Sequence, residues 1–331
     1  MTTVLERLNT GLAACLETSE SVILLGEDVI DPYGGAFKVT RGLSSQFPER
    51  VLTTPVSEAG IVGLGVGMAL RGLRPVVEIM FGDFLMLAGD QLLNHAAKLR
   101  WMSNDQVRVP LVIRAPMGGR RGYGPTHSQS LEKHFLGVPG LRTVALTALG
   151  DPAELIKRAV LHDDDPVLFV EHKLLYAARA QEALTDFEVV AAAGPYPAYR
   201  LRVRGAPAAV LTFAAYGYTA ELARQAVTKL AYEHELFAEL IVFTQLSPYM
   251  DDALLESVSR TGHLLTVEEG SRQLGWGAEV VARMAEVMGP SLRIARLGAA
   301  ETPIPAAGTL ESATLPQVDD MVQAARDVCR Q

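Results

Sequence analysis

The sequence predicts an α/β fold with two domains, each a mostly parallel sheet flanked by helices. Apolar runs of strand length alternate with amphipathic runs of helix length, which is the order of elements that parallel sheets require. The chain has 331 residues, which is too long for one ordinary core and fits about two domains. The alternation is interrupted once, between residues 178 and 206, and then resumes.

The first part of the chain gives helix and strand in turn. Residues 3–18 have the spacing of an amphipathic helix, and VILLGED (22–28) has the composition of a buried strand that breaks at a glycine. The pattern then predicts a helix over 59–70, a strand over 74–81, a helix over 84–102, strands over 109–116 and 141–148, a helix over 151–163 and a strand over 166–173.

The second part repeats this order after the interruption. Its predicted strands are 208–214, 239–246 and 263–270, and its predicted helices are 218–235, 251–262 and 275–289. We therefore expect a first domain over 1–180, a linker over 181–206 and a second domain over 207–331.

The charge and the cysteines exclude several classes of function. A net charge of −8 argues against nucleic acid or an anionic membrane as the partner. No window of about 18 consecutive apolar residues is present to span a bilayer. Cys15 and Cys329 lie at opposite ends of the chain, which suits a reducing cytoplasm and offers no disulfide framework.

Common short motifs are absent, but one stretch stands out. The sequence has no G-x-G-x-x-G, Walker A, G-x-S-x-G, H-E-x-x-H or C-x-x-C motif. In TPVSEAGIVGLGVGMALRG (54–72), Glu58 precedes a helical run with four glycines between positions 60 and 67. Each glycine costs roughly 1 kcal/mol against alanine inside a helix, so the run indicates that another surface approaches closely. Glu58 is either a first-turn charge or a chemical group.

Several longer stretches carry a family resemblance. They are GEDVIDPYGGAFKVTRGL (26–43), residues 54–84, DQLLNHAAKLRWMS (90–103), HSQSLEKHF (127–135) and DPVLFVEHKLLY (165–176), followed by two more over 267–280 and 301–322. In order and over nearly the whole chain, they resemble the β subunit of thiamine-diphosphate-dependent 2-oxo acid dehydrogenases. These proteins form the E1 component of pyruvate and branched-chain 2-oxo acid dehydrogenase complexes. The resemblance implies a transketolase-like pyrimidine-binding domain and a transketolase C-terminal-like domain.

The resemblance implies a catalytic role for Glu58. In proteins like this, the glutamate of the SEAG stretch hydrogen-bonds N1′ of the cofactor's aminopyrimidine. The 4′-amino group of that ring takes the thiazolium C2 proton only as its imino tautomer, which needs a carboxylic acid to exchange a proton at N1′. An apolar pocket would raise the pKa of Glu58 by desolvation and suit it to that task near neutral pH.

Three further residues match positions near the same ring. The resemblance implies that Met80 and Phe84 pack around the aminopyrimidine and keep water away from the reacting carbon. It places Glu27 close to the same pocket. The alternatives are ordinary core positions for Met80 and Phe84, and a strand-end charge for Glu27.

The loop before His127 is rich in glycine and arginine. By resemblance, His127 lies at the mouth of the active site and helps to transfer the acyl group to a lipoyl arm; the alternative is a solvated loop histidine. Arg120 and Arg121, in MGGRRGYGPT (117–126), could meet a substrate carboxylate or a partner subunit, or be solvated charges. This loop is the least family-typical part of the catalytic region.

Two metal ions follow from the resemblance. Related β subunits bind potassium through backbone carbonyls of a turn near residues 160–165. The corresponding ligands here would be the carbonyls of Val160, Leu161, Asp163 and Asp165, with a solvated acidic turn as the alternative. The diphosphate of the cofactor is held through Mg²⁺ by a GDG motif and a downstream asparagine, and this chain contains GDF and GDQ but no GDG.

The missing motif implies a separate α subunit that holds Mg²⁺ and the diphosphate. The expected assembly is an α2β2 heterotetramer with thiamine diphosphate at each α/β interface, β–β contacts, and a face for the E2 acyltransferase. The leading function is therefore oxidative decarboxylation of a small-molecule 2-oxo acid, pyruvate first and a branched-chain acid second, with acyl transfer to lipoyl-E2. The alternatives are an acetoin-cleaving or biosynthetic relative that uses another acceptor, and a catalytically silent scaffold subunit.

Overall fold

The computed structural model describes residues 2–180 and 184–330, which form two compact units. Of these residues, the first unit takes 2–118 and 134–180, and the second takes 119–133 and 184–330. The prediction of two α/β domains is confirmed. The boundary differs from the expected one, because residues 119–133 pack with the second unit although they precede residue 180.

The first unit is built on six parallel strands. They are β1 (Val22–Gly26), β2 (Val51–Thr53), β3 (Arg74–Glu78), β4 (Val112–Met117), β5 (Arg142–Ala145) and β6 (Val167–His172). Their order in the sheet is β5-β6-β4-β3-β1-β2, and every pair is parallel. Almost every residue of these strands is buried, as expected for a parallel sheet covered on both faces.

Among the described residues, three of the five α-helices of the first unit begin at side-chain caps. The five are α1 (Val4–Thr18), α2 (Leu43–Gln46), α3 (Glu58–Leu70), α4 (Ala97–Met102) and α5 (Pro152–His162). The hydroxyl of Thr3 and the carboxylate of Glu6 form a capping box at α1, Ser57 caps α3, and Asp151 caps α5. These caps satisfy amide groups that the first turn of a helix leaves without partners.

The prediction of one continuous α-helix over 84–102 is wrong, because the segment is helical but not a single regular α-helix. The structure has a 3-10 helix (Gly82–Ala88), a π-helical turn (Gln91–Ala96) and then α4. Gly82 explains the start of this segment, because a Cβ atom there would lie 2.6 Å from the Cβ of Met117 on β4. The tight approach to β4 therefore fixes where the segment begins.

The second unit has a mixed sheet. Its strands are β7 (Phe187–Ala191), β8 (Tyr199–Val203), β9 (Leu211–Tyr216), β10 (Ala238–Phe243), β12 (His263–Ser271) and β13 (Arg293–Ala299), and a short strand β11 (Gln245–Ser247) follows β10. The order is β13-β12-β9-β10-β8-β7, with the first four strands parallel and the β7–β8 hairpin antiparallel. The helices are α6 (Gly217–His234), α7 (Asp252–Thr261), α8 (Trp276–Met288), α9 (Gly308–Thr314) and α10 (Val318–Val328).

The predicted linker over 181–206 is corrected by this hairpin. Its first three residues, 181–183, lie outside the described residues, and most of the rest forms β7 and β8. Four of the five residues of β7 are exposed, so the strand lacks the apolar run by which a buried strand is recognised. Across residues 2–180 and 184–330, no helix is both long and apolar enough to cross a membrane.

Two helix glycines give a matched test of this packing. A Cβ atom at Gly11 of α1 would lie 2.6 Å from the Cγ2 of Ile156 and 2.8 Å from the Cα of Ala153, both on α5, whereas one at Gly67 of α3 meets nothing within 4 Å. We expect Gly11→Ala to lower the free energy of unfolding by about 1–3 kcal/mol through overpacking. Gly67→Ala should raise it by up to about 1 kcal/mol through helix propensity. Chemical denaturation of the purified chain measures both, and equal effects would contradict the assigned packing.

Candidate active site

The candidate site lies where three neighbouring strands of the first unit end. Gly26, the last residue of β1, pairs with Thr53 of β2 and Glu78 of β3. Because the strands are parallel, the residues that follow them leave the sheet at the same edge, where α/β proteins bind ligands. Glu27 follows β1 directly, and Glu58 follows β2 after a short loop.

Glu27 and Glu58 are two buried carboxylates in electrostatic contact. Each exposes 6% of its surface. Burial raises the pKa of Glu27 above its usual value, and the negative charges of Glu58 and Asp28 raise it further. The Oε1 atom of Glu27 is buried and has no hydrogen-bond partner within the described ranges. The structure therefore brings two of the predicted site residues together and leaves one acceptor atom unused.

The local position of Glu58 fits both of the roles considered for it. It is the first residue of α3, and the Ser57 hydroxyl before it accepts a hydrogen bond from the amide of Gly60. A carboxylate there is favoured by the positive end of the helix. A charge that served only this purpose could remain in water, whereas the Glu58 side chain is buried. Its burial is more than a helix-terminal charge requires.

Aromatic side chains form a wall on the next element. Met80 and Phe84 are half-buried, and the ring centroids of Phe81 and Phe84 lie 6.0 Å apart in an edge-to-face contact. Phe37 meets Phe81 in the same manner at 5.5 Å. The 3-10 helix that carries Phe84 packs against α3, the helix that begins at Glu58. Met80 and Phe84 thus flank the site, and Phe37 and Phe81 are additions that the sequence did not single out.

A buried charge network lies within the strands beneath this edge. The guanidinium of Arg114 on β4 donates two hydrogen bonds of 2.7 Å to Glu171 on β6, and another to Glu78 at the end of β3. All three side chains are at least 97% buried. Burial raises the pKa of Glu78, and the charge of Arg114 opposes that effect. In the sequence, this network is visible only as Glu78, Arg114 and Glu171, three charged residues in otherwise mostly apolar strands.

The Glu78 carboxylate also fixes the loop after β1. A Cβ atom at Gly35 would lie 2.5 Å from the Oε1 of Glu78, and the Gly35 backbone has φ +79°. Only glycine suits such a position. The buried network therefore shapes the loop that carries Phe37.

His127 lies in the second unit, on the segment 119–133. Its ring is half-buried, and its Nδ1 lies 3.0 Å from the hydroxyl of Thr126. On the same segment, Arg120 forms an ion pair of 2.9 Å with Glu269, whereas Arg121 is exposed and lies near the ring of Tyr123. Arg120 is therefore paired within its own unit. This makes a substrate carboxylate, one of the partners considered from the sequence, a poorer candidate for Arg120.

The predicted potassium ligands do not fit a potassium ion at two of their four positions. The guanidinium of Arg74 donates hydrogen bonds to the carbonyl of Val160 at 2.6 Å and to that of Asp163 at 2.5 Å. The side chain of Asp163 pairs with Arg142, and that of Asp165 pairs with Arg100. The guanidinium of Arg74 therefore bonds to two of the four carbonyls that the resemblance assigned to the potassium ion. The apolar side chain of Leu161 offers no further ligand.

The residues at the strand ends fit the aminopyrimidine half of thiamine diphosphate. A buried carboxylate with an unused oxygen can bind a ring nitrogen or an amino group, and the aromatic wall can pack against a flat heterocycle. Among the described residues, no group of three or more His, Cys, Asp and Glu side chains could hold a metal ion. The part of the chain that the structure describes therefore offers groups suited to the ring but no side-chain cluster suited to a divalent metal.

The raised pKa of Glu27 predicts a pH-dependent stability. The folded chain holds the Glu27 proton more tightly than the unfolded chain does, so stability falls as pH rises from 4.5 through the raised value and stays lower above it. We expect Glu27→Gln to stabilise the chain at pH 7 and to lose that advantage below pH 4.5. Thermal denaturation between pH 4 and 8 measures the difference. Glu20→Gln, at an exposed position before β1, is the control and should change little.

Comparisons with known proteins identify both units. The chain matches the family model of the transketolase pyrimidine-binding domain over residues 2–179 and that of the transketolase C-terminal domain over residues 203–321. In fold, it is similar to a solved structure described as a split-gene transketolase in an inactive β4 tetramer. The TM-score is 0.74 at 17% identity, covering 100% of this chain and 99% of the other.

Curated relatives match nearly the whole chain. The mitochondrial pyruvate dehydrogenase E1 component subunit β-1 of Arabidopsis thaliana is 37% identical over 333 residues, covering 99% of this chain and 89% of the relative. The mitochondrial pyruvate dehydrogenase E1 β subunit of Saccharomyces cerevisiae is 35% identical, covering 98% of this chain and 88% of the relative. The pyruvate dehydrogenase E1 component subunit β of Rhizobium meliloti is 35% identical, covering 99% of this chain and 70% of the relative. The chain therefore belongs to the family of pyruvate dehydrogenase E1 component β subunits, which combines the two transketolase-type domains.

Proposed function

We propose that this chain is the β subunit of a pyruvate dehydrogenase E1 component and that its buried Glu58 is the acid that acts on thiamine diphosphate. The observation that carries the proposal is the pair of buried carboxylates, Glu27 and Glu58, in a chain that matches E1 β subunits over nearly its whole length. In the overall reaction the C1–C2 bond of pyruvate breaks and carbon dioxide leaves. One lipoyl sulfur takes the acetyl group, and the other takes a proton as the disulfide is reduced.

In this proposal, thiamine diphosphate supplies the nucleophilic carbon and the electron sink for decarboxylation. Glu58 would exchange a proton with N1′ of the ring. Glu27 offers its unused Oε1 atom to the same ligand. Met80 and Phe84 exclude water from the ring. His127 donates a hydrogen bond to the departing lipoyl sulfur.

A separate α subunit completes the site in this proposal by holding Mg²⁺ and the diphosphate, which gives an α2β2 assembly. The support is the outer face of α3, where Leu64 is 50% exposed, Leu70 is 43% exposed, and Gly67 has open space around it. Such a face, apolar and without bulk, suits close packing of a second chain. We further propose that lipoyl-E2 is the acyl acceptor. We also propose that the complex is cytoplasmic, because Cys15 and Cys329 are free thiols, as suits a reducing compartment.

The role of Glu58 is tested by Glu58→Gln in the co-expressed α and β chains. The variant keeps the shape of the side chain but cannot carry the proton, so kcat for pyruvate decarboxylation should fall by about 10²–10⁴-fold. Size-exclusion chromatography should show the assembly unchanged. Asp252→Asn, an exposed acid in the first turn of α7, is the matched control for a helix-terminal charge. Loss of activity no greater than in this control would reject the assignment.

The interface is tested by Gly67→Leu. A Cβ atom at this position meets nothing within 4 Å among the described residues, so the purified β chain should fold normally. It should nevertheless bind the α subunit at least 10-fold more weakly, because the added side chain fills the space that the partner needs. Glu17→Leu places an equally exposed leucine on α1 and should leave association intact. Unchanged association of the Gly67→Leu chain would place the α subunit elsewhere.

A further inference from the structure

The segment that carries His127 is fastened at its beginning by one arginine and two buried glutamates. The guanidinium Nε of Arg120 donates to Glu269 Oε2 at 2.9 Å, and the amide of Gly119 donates to the other oxygen of Glu269 at 2.7 Å. Glu311 accepts from the amides of Arg120 and Gly122 at 2.7 and 3.1 Å. Glu269 and Glu311 are 5% and 4% exposed, so these bonds are shielded from water.

The guanidinium of Arg120 reaches beyond the first glutamate. Its Nη2 donates to the carbonyl of Pro316 at 2.7 Å, and its plane lies 5.6 Å from the ring centroid of Tyr218. The side chain therefore links β12, which carries Glu269, with the chain that follows α9. Lysine could form the ion pair but not this fork of bonds.

The backbone at Arg120 is strained. Its φ is +70°, in the left-handed region that L side chains rarely adopt. A non-glycine residue is kept in such a conformation only when its surroundings determine it, at a cost of order 1–3 kcal/mol. Here the two carboxylates determine it, because the backbone amides of residues 119, 120 and 122 and the guanidinium of Arg120 all donate to them.

The other end of the same segment is also fastened to the second unit. The ammonium of Lys133 donates to the hydroxyl of Ser271 at 2.6 Å and to the carbonyl of Gln273 at 2.9 Å. The hydroxyl of Tyr216 donates to Glu132. Between the two attachments, most residues from 121 to 126 are exposed, and His127 follows them.

We propose that Arg120 is a positioning residue that acts through His127, holding the 119–127 segment on Glu269 and Glu311 so that the imidazole is presented to the acyl acceptor. The inference rests on the proposed function for the role of His127, but the attachment itself does not. Loss of the Arg120 side chain leaves the buried Glu269 carboxylate without its guanidinium partner, which favours release of the segment. Removing both charges of the pair avoids that penalty.

The first measurement needs no activity. In the assembled α2β2 protein, hydrogen exchange at the amides of residues 119–127 should speed up at least 10-fold in Arg120→Met. It should not change in Arg121→Met, which removes the neighbouring exposed arginine. The double variant Arg120→Met with Glu269→Gln should exchange more slowly than Arg120→Met alone. Unchanged exchange in Arg120→Met overturns the attachment whatever the enzyme's reaction.

The second measurement separates positioning from general damage. Arg120→Met should lower kcat for reductive acetylation of a free lipoyl domain by at least 10-fold, while pyruvate oxidation by ferricyanide and the Kd for thiamine diphosphate change less than 3-fold. Arg121→Met should change neither. Faster exchange with equal loss in both reactions overturns the link to His127. If the wild-type assembly acts on no 2-oxo acid while the exchange result holds, the proposed function fails and the attachment stands.

Discussion

The carboxylates of Glu27 and Glu58 are both buried at the carboxyl edge of the first sheet and repel each other. The rest of the site depends on this repulsion. Glu58 adds to the effect of burial in raising the pKa of Glu27, and one oxygen of Glu27 has no partner among the described residues. An arrangement of this kind costs free energy in the unliganded chain. It is relieved by a ligand that brings a proton or an N–H donor, which an aminopyrimidine ring does.

The position of these carboxylates depends on a second charge group that is fully paired. Arg114 ties together three adjacent strands through Glu78 and Glu171, and Tyr176 donates a further hydrogen bond to Glu171. Breaking such a buried network by removing one partner is far more costly than never having built it. The strand ends, and the loop at Gly35 that contacts Glu78, therefore have one arrangement. The proton transfer proposed for Glu58 would therefore take place next to strands that the Arg114 network holds in fixed positions.

The sequence predicted much of this, and the failures have physical causes. Alternating helices and strands were visible because parallel strands are buried on both faces and read as apolar runs. The β7–β8 hairpin was taken for a linker because most of β7 faces water. The resemblance led to Glu27 and Glu58, but spacing alone could not, since they follow different strands that only the sheet brings together. Arg74 was not singled out and the role of Arg120 was left open, because nothing in a sequence tells a paired arginine from a solvated one.

The glycines of α3 illustrate how one element meets two requirements. Gly65 is buried, and a Cβ atom there would lie 3.0 Å from both Leu111 and Val77, so its absence of side chain serves the fold of this chain. Gly63 and Gly67 lie on the exposed side. Among the described residues, a Cβ atom at Gly67 would meet nothing within 4 Å, and one at Gly63 would meet only the Cγ of Gln91, at 3.7 Å. Glycine weakens a helix, so glycines that relieve no close contact within the chain need another explanation. The α subunit proposed above would supply that reason by packing its backbone on that side, along the helix that begins at Glu58.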